Sequence, residues 1–240
     1  MKKLLFLLLM FTGGQLLAQP WKSVTGNGNL KKESRTVSTF NSLASYGAFD
    51  VKIAYGNPGN IQVEADENLL PFIETTVENG KLEIRTKNHV NVKSKSKIVV
   101  YVSMTKINAL QLSGSGNIDG NGTFTSDDKT KLMLSGSGNI HLTSGSYSSL
   151  NLAISGSGNL VVKDATADNV SVEISGSGNA DCSEVSANQA DVKISGSGNA
   201  RVNVNKSLTA TISGSGNVYY KGNATDISTK SVGSGKAIKI

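Results

Sequence analysis

The pentapeptide Ser-Gly-Ser-Gly-Asn occurs six times in this chain, beginning at Ser113, Ser135, Ser155, Ser175, Ser195 and Ser213. The copies stand 22, 20, 20, 20 and 18 residues apart, and a degenerate seventh, Val232-Gly233-Ser234-Gly235-Lys236, follows 19 residues later. A period near 20 sustained in this way is the mark of a solenoid, in which each repeat buries its apolar side only by stacking on its neighbours. It is too short for a propeller blade and lacks the consensus of leucine-rich repeats. One coil of a parallel β-helix fits it.

The residues around the motif support strands. One position before each copy stand Leu112, Leu134, Ile154, Ile174, Ile194 and Ile212; directly after stand Ile118, Ile140, Leu160, Ala180, Ala200 and Val218. Three positions before stand Leu110, Leu132, Leu152, Val172, Val192 and Ala210, so apolar and polar residues alternate with a period of two. Stacked in register, each apolar column becomes a stripe of core, with rungs about 4.8 Å apart. The sequence therefore predicts an all-β parallel β-helix, or solenoid, of coils about 20 residues long. The three prolines, Pro20, Pro58 and Pro71, all precede the repeats, as central strands require.

The motif itself reads as a structural repeat. Its glycines are Gly114, Gly116, Gly136, Gly138, Gly156, Gly158, Gly176, Gly178, Gly196, Gly198, Gly214 and Gly216. Each costs roughly 0.5–1 kcal/mol inside a strand, so so many need a geometric reason. Either the wall closes in on glycine, or the chain turns a corner at positive φ; the corner is the favoured reading. Asn117, Asn139, Asn159, Asn179, Asn199 and Asn217 would then stack into a column able to hydrogen-bond along its length.

Ahead of the repeats, residues 40–108 read as irregular β-structure capping the solenoid, and residues 109–240 as the solenoid proper. Val51 to Tyr55, Ile61 to Ala65 and Ile98 to Val102 have strand patterns, Asn79-Gly80 marks a hairpin, and Asp66-Glu67-Asn68 opens a short helical turn. Residues 19–39 are polar and weakly patterned and read as a flexible lead. At the other end Lys236 and Lys239 would cap the last coil by charge.

Lys2-Lys3, the apolar run Leu4 to Phe11 and Ala18 before Gln19 have the layout of a secretory signal peptide spanning residues 1–18. Eight apolar residues are too few to cross a bilayer, which takes roughly 20, so no stable membrane span is expected after cleavage. No cysteine lies near the cleavage point, so the chain is not expected to be a lipoprotein. Without residues 1–18 the net charge falls from +6 to +4, too mild for an exported chain to suggest a nucleic-acid partner.

Chemistry-bearing residues are sparse. Cys182 is the only cysteine, which excludes an internal disulfide and any CxxC site; by its position it belongs in a buried column with Leu142, Val162 and Val202. His89 and His141 are the only histidines, both expected at the surface. The acids are scattered: Asp164, Asp181 and Asp191 occupy different repeat positions, and the Asp127-Asp128 pair sits in a turn-like loop. Calcium-binding β-rolls use aspartate at a nine-residue period, and phosphate loops lead into a helix; neither is met here. No catalytic residue, metal site or cofactor is expected. Tyr219-Tyr220 could form a sugar platform, although packing over an edge is the simpler role. Lys93, Lys95 and Lys97 alternate, so on a strand they would share one face, suited to contact an anionic polymer or to guard an edge.

The repeated SGSGN motif, Gly47-Ala48-Phe49-Asp50-Val51, and the stretch from Asn68-Leu69-Leu70-Pro71 to Val77-Glu78-Asn79-Gly80-Lys81-Leu82 together resemble the head GIN domain family of exported bacterial proteins, described as autotransporter adhesins. The resemblance covers roughly residues 40–240. It implies a right-handed, pectin-lyase-like β-helix without a catalytic site. The leading expectation is an exported, non-catalytic adhesin that binds a polysaccharide or surface glycan, located in the periplasm, on the outer membrane or outside the cell. A periplasmic structural or assembly protein, and a polysaccharide-acting enzyme related to pectin lyases, stand beside it as alternatives.

Overall fold

The computed structural model describes residues 22–126 and 129–240. The expected leader, Trp21 and the Asp127-Asp128 pair lie outside the described residues. The front of the chain forms β1 (Lys22–Thr25), β2 (Leu30–Thr36), β3 (Ser42–Tyr46), β4 (Phe49–Tyr55), β5 (Asn60–Asp66), β6 (Ile73–Glu78), β7 (Lys81–Thr86), β8 (Val90–Lys93) and β9 (Ile98–Met104). The repeats form β10 (Ala109–Gly114), β11 (Asn117–Thr125), β12 (Lys129–Gly136), β13 (Asn139–Gly156), β14 (Asn159–Gly176), β15 (Asn179–Gly196) and β16 (Asn199–Gly214). The last coil is β17 (Val218–Lys221), β18 (Asp226–Gly233) and β19 (Ala237–Lys239). Together they are a parallel β-solenoid of about six turns.

Side-chain parity shows how one coil closes. In β14 the buried residues are Leu160 and Val162, then Ala165 and Ala167, then Val170, Val172 and Ile174. Two adjacent exposed pairs, Lys163-Asp164 and Asp168-Asn169, break the alternation, and Asp164 has a φ of +48°. A strand keeps strict alternation only while it runs straight, so each break marks a bend. With the glycine corner, these bends give the coil three sides around an apolar centre. Neighbouring coils pair in register, Leu160 on Ile140 and Ala180 on Leu160, so the apolar columns form one continuous core.

The Ser-Gly-Ser-Gly segment is the third corner. Strands end at its first glycine and restart at its asparagine. Gly156 has a φ of +127°, which a residue with a Cβ rarely adopts. A Cβ on Gly158 would strike the carbonyl oxygen of Gly138 and approach Leu134 Cδ2 to 2.7 Å. Corner stacks on corner through the backbone: the Ser157 and Gly158 amides both donate to the Gly136 carbonyl, at 3.0 and 3.1 Å. Both readings of the motif hold in part, since the first glycine turns the corner and the second lies buried against the rung before it.

The front section is more regular than its sequence suggests. β3 pairs in parallel with β10, and β4 with β11, so Tyr46-Gly47-Ala48-Phe49-Asp50 occupies the place of a motif corner, with Gly47 at φ +127°. β7 and β9 pair in parallel with β3 and β4 and make a further rung. The coil stack thus runs through the boundary expected at residues 108 and 109. β6 and β5 pair antiparallel with the outer edges of β7 and β9, covering strand edges that would otherwise template association.

Residues 22–36 are not the flexible lead that their polarity predicts. β2 pairs antiparallel with β5 over its full length, Leu30 against Asp66 to Thr36 against Asn60. The Arg35 guanidinium donates to the carbonyls of Ile73 at 2.7 Å and Leu70 at 2.9 Å, and Lys31 pairs with Glu67 at 2.7 Å. These partners lie more than 30 residues away, so the local pattern carries no trace of them. The result is a wing of β2 and β5 beside the first rungs, exposed and polar along β2, with Ile61, Val63 and Ala65 of β5 turned into the core.

Candidate functional site

Where residues repeat, their columns build the scaffold; where a column stops repeating, composition is free to serve something else. The asparagine column repeats. Asn139 Nδ2 donates to Asn117 Oδ1 at 2.9 Å, Asn159 to Asn139 at 3.0 Å, Asn179 to Asn159 at 3.0 Å and Asn199 to Asn179 at 3.1 Å. Asn217 donates to Asn199 at 3.5 Å and accepts from the Lys236 backbone amide at 3.1 Å. At the head, Asn117 Nδ2 donates to Asp50 Oδ1 at 2.7 Å, and Asp50 also meets Lys97 Nζ at 3.3 Å. Every amide points the same way, and a carboxylate takes the terminal donor.

Two positions beyond each asparagine stands an outward column of another character. Register places Tyr101 on Lys52, Lys52 on Asp119, Asp119 on His141, His141 on Val161, Val161 on Asp181, Asp181 on Arg201 and Arg201 on Tyr219. From Tyr101 to Tyr219, seven steps at about 4.8 Å make a face roughly 34 Å long, and the column continues to Ile238 in the last coil. Lys52 Nζ meets Asp119 Oδ2 at 2.6 Å, and that hydrogen bond holds the ammonium above its ordinary pKa against partial desolvation. Arg201 lies 3.8 Å from Asp181 and 5.4 Å from the Tyr219 ring centroid. Tyr101 donates to Glu64 at 3.1 Å and lies under Lys32, 4.7 Å from the ring centroid.

At the wing end this face deepens into a groove of about 850 Å³. Ser34 and Gln62 of the wing form one wall; Lys52, Asp119, His141 and Thr143 of the coils form the other. His141 is half-buried rather than fully at the surface, and its Nε2 is buried with no hydrogen-bond partner. A second, shallower cleft of about 350 Å³ runs between the asparagine ladder and Asp181, Arg201 and Tyr219.

The acids on this face do not form a hydrolytic pair. Asp119 and Asp181 share the column but stand three steps, about 14 Å, apart. Glycoside hydrolysis takes two carboxyls roughly 5–9.5 Å apart, one of them free to carry a proton. Here each is matched with a cation instead. Among the described residues no three metal-ligating side chains converge.

The expected lysine stripe is not a strand face. Lys93 ends β8, which pairs with β1, whereas Lys95 and Lys97 lie in the bend that follows. These residues belong to an insertion, residues 87–97, that replaces the short glycine corner between β7 and β9. Asp66 organises it: its buried carboxylate accepts from the Lys95 amide at 2.9 Å and from the hydroxyls of Ser94 and Ser96 at 3.1 Å. The Lys95 amide above all keeps that carboxyl below its ordinary pKa, with the two serines adding to it against desolvation. All three lysines are exposed, but Lys97 turns back to Asp50. Cys182 is buried in the column that its position indicates, and burial pushes its thiol far above the usual range.

Fold and face together define a parallel β-solenoid that carries a polar, non-repeating column along one side. The chain belongs to the family described as "Putative auto-transporter adhesin, head GIN domain", whose model matches residues 39–224. Among solved structures it resembles a putative adhesin from Bacteroides fragilis (TM-score 0.83, 20% identity, 90% of this chain and 100% of that one). It also resembles a putative lipid binding protein from Parabacteroides distasonis (TM-score 0.77, 25% identity, 91% and 100% covered). A third likeness is to a putative adhesin from Parabacteroides merdae (TM-score 0.70, 23% identity, 91% and 99% covered). No curated protein matches the chain. Among the described residues no helix is long and apolar enough to cross a membrane.

Proposed function

We propose that this protein is an exported, non-catalytic binding module of the cell envelope that holds an extended surface or extracellular polysaccharide along the Tyr101–Tyr219 face. The observation that carries the reading is the column itself. Lysine, aspartate, histidine, valine, arginine and tyrosine stand in register beside a column that holds asparagine on six successive rungs, Asn117 to Asn217. A column serving only the fold would take β-branched or uniform residues, as the inward columns do. Its rungs are rigid and evenly spaced, so a polymer laid along the stack meets paired charges, amides and two aromatic rings with little ordering cost to the protein. Adhesion follows if the module is displayed outside the cell, and the family description supports that role.

The test joins location to binding. Protease added to intact cells should cleave the mature protein, and Arg201→Ala and Tyr219→Ala should each weaken its retention on polysaccharide about 5–10-fold, or about 1–1.4 kcal/mol. Protection until the outer membrane is opened would replace surface adhesion with a periplasmic assembly role. Retention unchanged in both variants would remove the face from consideration.

A further inference from the structure

Resting on that reading, we infer that the groove between the wing and the coils is a distinct saccharide site, which grips one neutral, hydroxyl-rich sugar unit at the wing end of the face. Its size, about 850 Å³, lies in the range of small-ligand clefts. The charges that line it are already matched, Lys52 with Asp119 at 2.6 Å, and outside the lining Lys32 pairs with Glu64 at 3.1 Å beside Tyr101. An anionic ligand would have to compete with Asp119 for Lys52 and would gain little. A fatty chain would have to desolvate the Lys52–Asp119 pair and the wall amides and hydroxyls without replacing their hydrogen bonds, which is costly.

A sugar hydroxyl both donates and accepts, so it can serve Asp119, Gln62, Thr143 and Ser34 together without disturbing the ion pair. The Tyr101 side chain lies along the same groove and offers apolar surface to a sugar's C–H groups. His141 is the second observation. It lines the groove half-buried, and its Nε2 lies just beneath the surface with no hydrogen-bond partner among the described residues. Buried polar atoms are nearly always satisfied, so an unmet one behind the wall of a groove marks a bond that a bound hydroxyl would complete once the imidazole turns toward it.

The experiment is calorimetric titration of the mature chain with cellohexaose, xylohexaose and mannohexaose as neutral probes, hexagalacturonate as the anionic probe and oleate as the lipid probe. At least one neutral hexasaccharide should bind. His141→Phe should weaken it about tenfold, and Asn121→Trp, which fills the groove from an exposed position, should abolish it. If Asn121→Trp and His141→Phe bind like wild type while Arg201→Ala and Tyr219→Ala do not, the groove site is overturned and the polymer face stands. Hexagalacturonate bound more tightly than every neutral probe would overturn the neutral class alone. Binding of oleate with no saccharide binding would overturn both readings. Circular dichroism of each variant separates lost binding from lost fold.

Discussion

Adding a single methyl group at the glycine corner should destabilise the whole stack, at either glycine. At Gly156 the cost is conformational as well as steric: φ +127° lies where a Cβ residue pays about 1–3 kcal/mol, and the new Cβ would also strike the Gly136 carbonyl. At Gly158 it is steric: the new Cβ meets the Gly138 carbonyl and sits 2.7 Å from Leu134 Cδ2, and forced overpacking costs about 1–3 kcal/mol. The Gly138 carbonyl cannot retreat, because it accepts the Asn159 amide at 3.2 Å. For a chain of this size each kcal/mol moves the melting temperature by roughly 2–4 °C. Gly156→Ala and Gly158→Ala should therefore each lower it by about 2–12 °C. Ser157→Ala, at an exposed position between them, should stay within about 0.5 kcal/mol of wild type. Scanning calorimetry of the mature chain reads the shift, and amide exchange locates it: protection should fall in the coils flanking residue 156 before it falls near the wing. Melting unchanged within about 1 °C for both glycine variants would refute the account of the corner.

Other consequences are equally open to measurement. Asn159→Ala removes two ladder bonds, one donated and one accepted, and should cost about 1–2 kcal/mol by chemical denaturation. Tyr147 fills an inward position beside Gly145, with its hydroxyl buried and unpartnered, so Tyr147→Phe should raise stability by about 1 kcal/mol. Burial lifts the Tyr147 phenol from 10.0 to about 12, so the unfolded chain ionises first. Stability should fall as pH rises from about 10 toward 12, and Tyr147→Phe should flatten that fall in alkaline melts. Asp66→Asn should free residues 93–97, read as faster tryptic cleavage after Lys95. Because the Asp66 carboxyl is held low, its grip is intact above its ordinary value near 3.8 and is lost as pH drops further, visible as exchange broadening of the Lys95 amide by NMR.

The features that were legible in the sequence are those that stacking repeats. Leu112, Leu134, Ile154 and their equivalents name a column because the period sets them side by side, and all of them are buried. Asn79-Gly80 is legible locally, since φ values of +50° and +72° are those that this pair tolerates, and β6 and β7 meet across it. The ordering of residues 22–36 was not legible, because Arg35 reaches the backbone carbonyls of residues 70 and 73, which carry no sequence signature. Lys93, Lys95 and Lys97 misled for a related reason: their even spacing predicts one face only if the strand continues, and it stops at Lys93.

The face proposed to bind polymer was hidden by the opposite property. Asp119, His141, Asp181, Arg201 and Tyr219 span four residue types, so no common identity groups them. The signal was present nonetheless, as the position two after each motif asparagine where the repeat fails to repeat.

The ladder described above has no register mark of its own. Every interior side-chain amide donates to the amide below, Asp50 and Lys236 close the two ends, and the last two rungs add a backbone donor from Asn199 and Asn217. Coil number is therefore a quantity that the molecule can count in. Duplicating residues 159–178 would add one step of about 4.8 Å between the wing groove and Tyr219, and would leave every corner, column and end contact in kind unchanged. Such a chain changes its reach in whole increments, like a ruler cut at its gradations. The length of polymer it spans can then be inherited separately from the chemistry at either end.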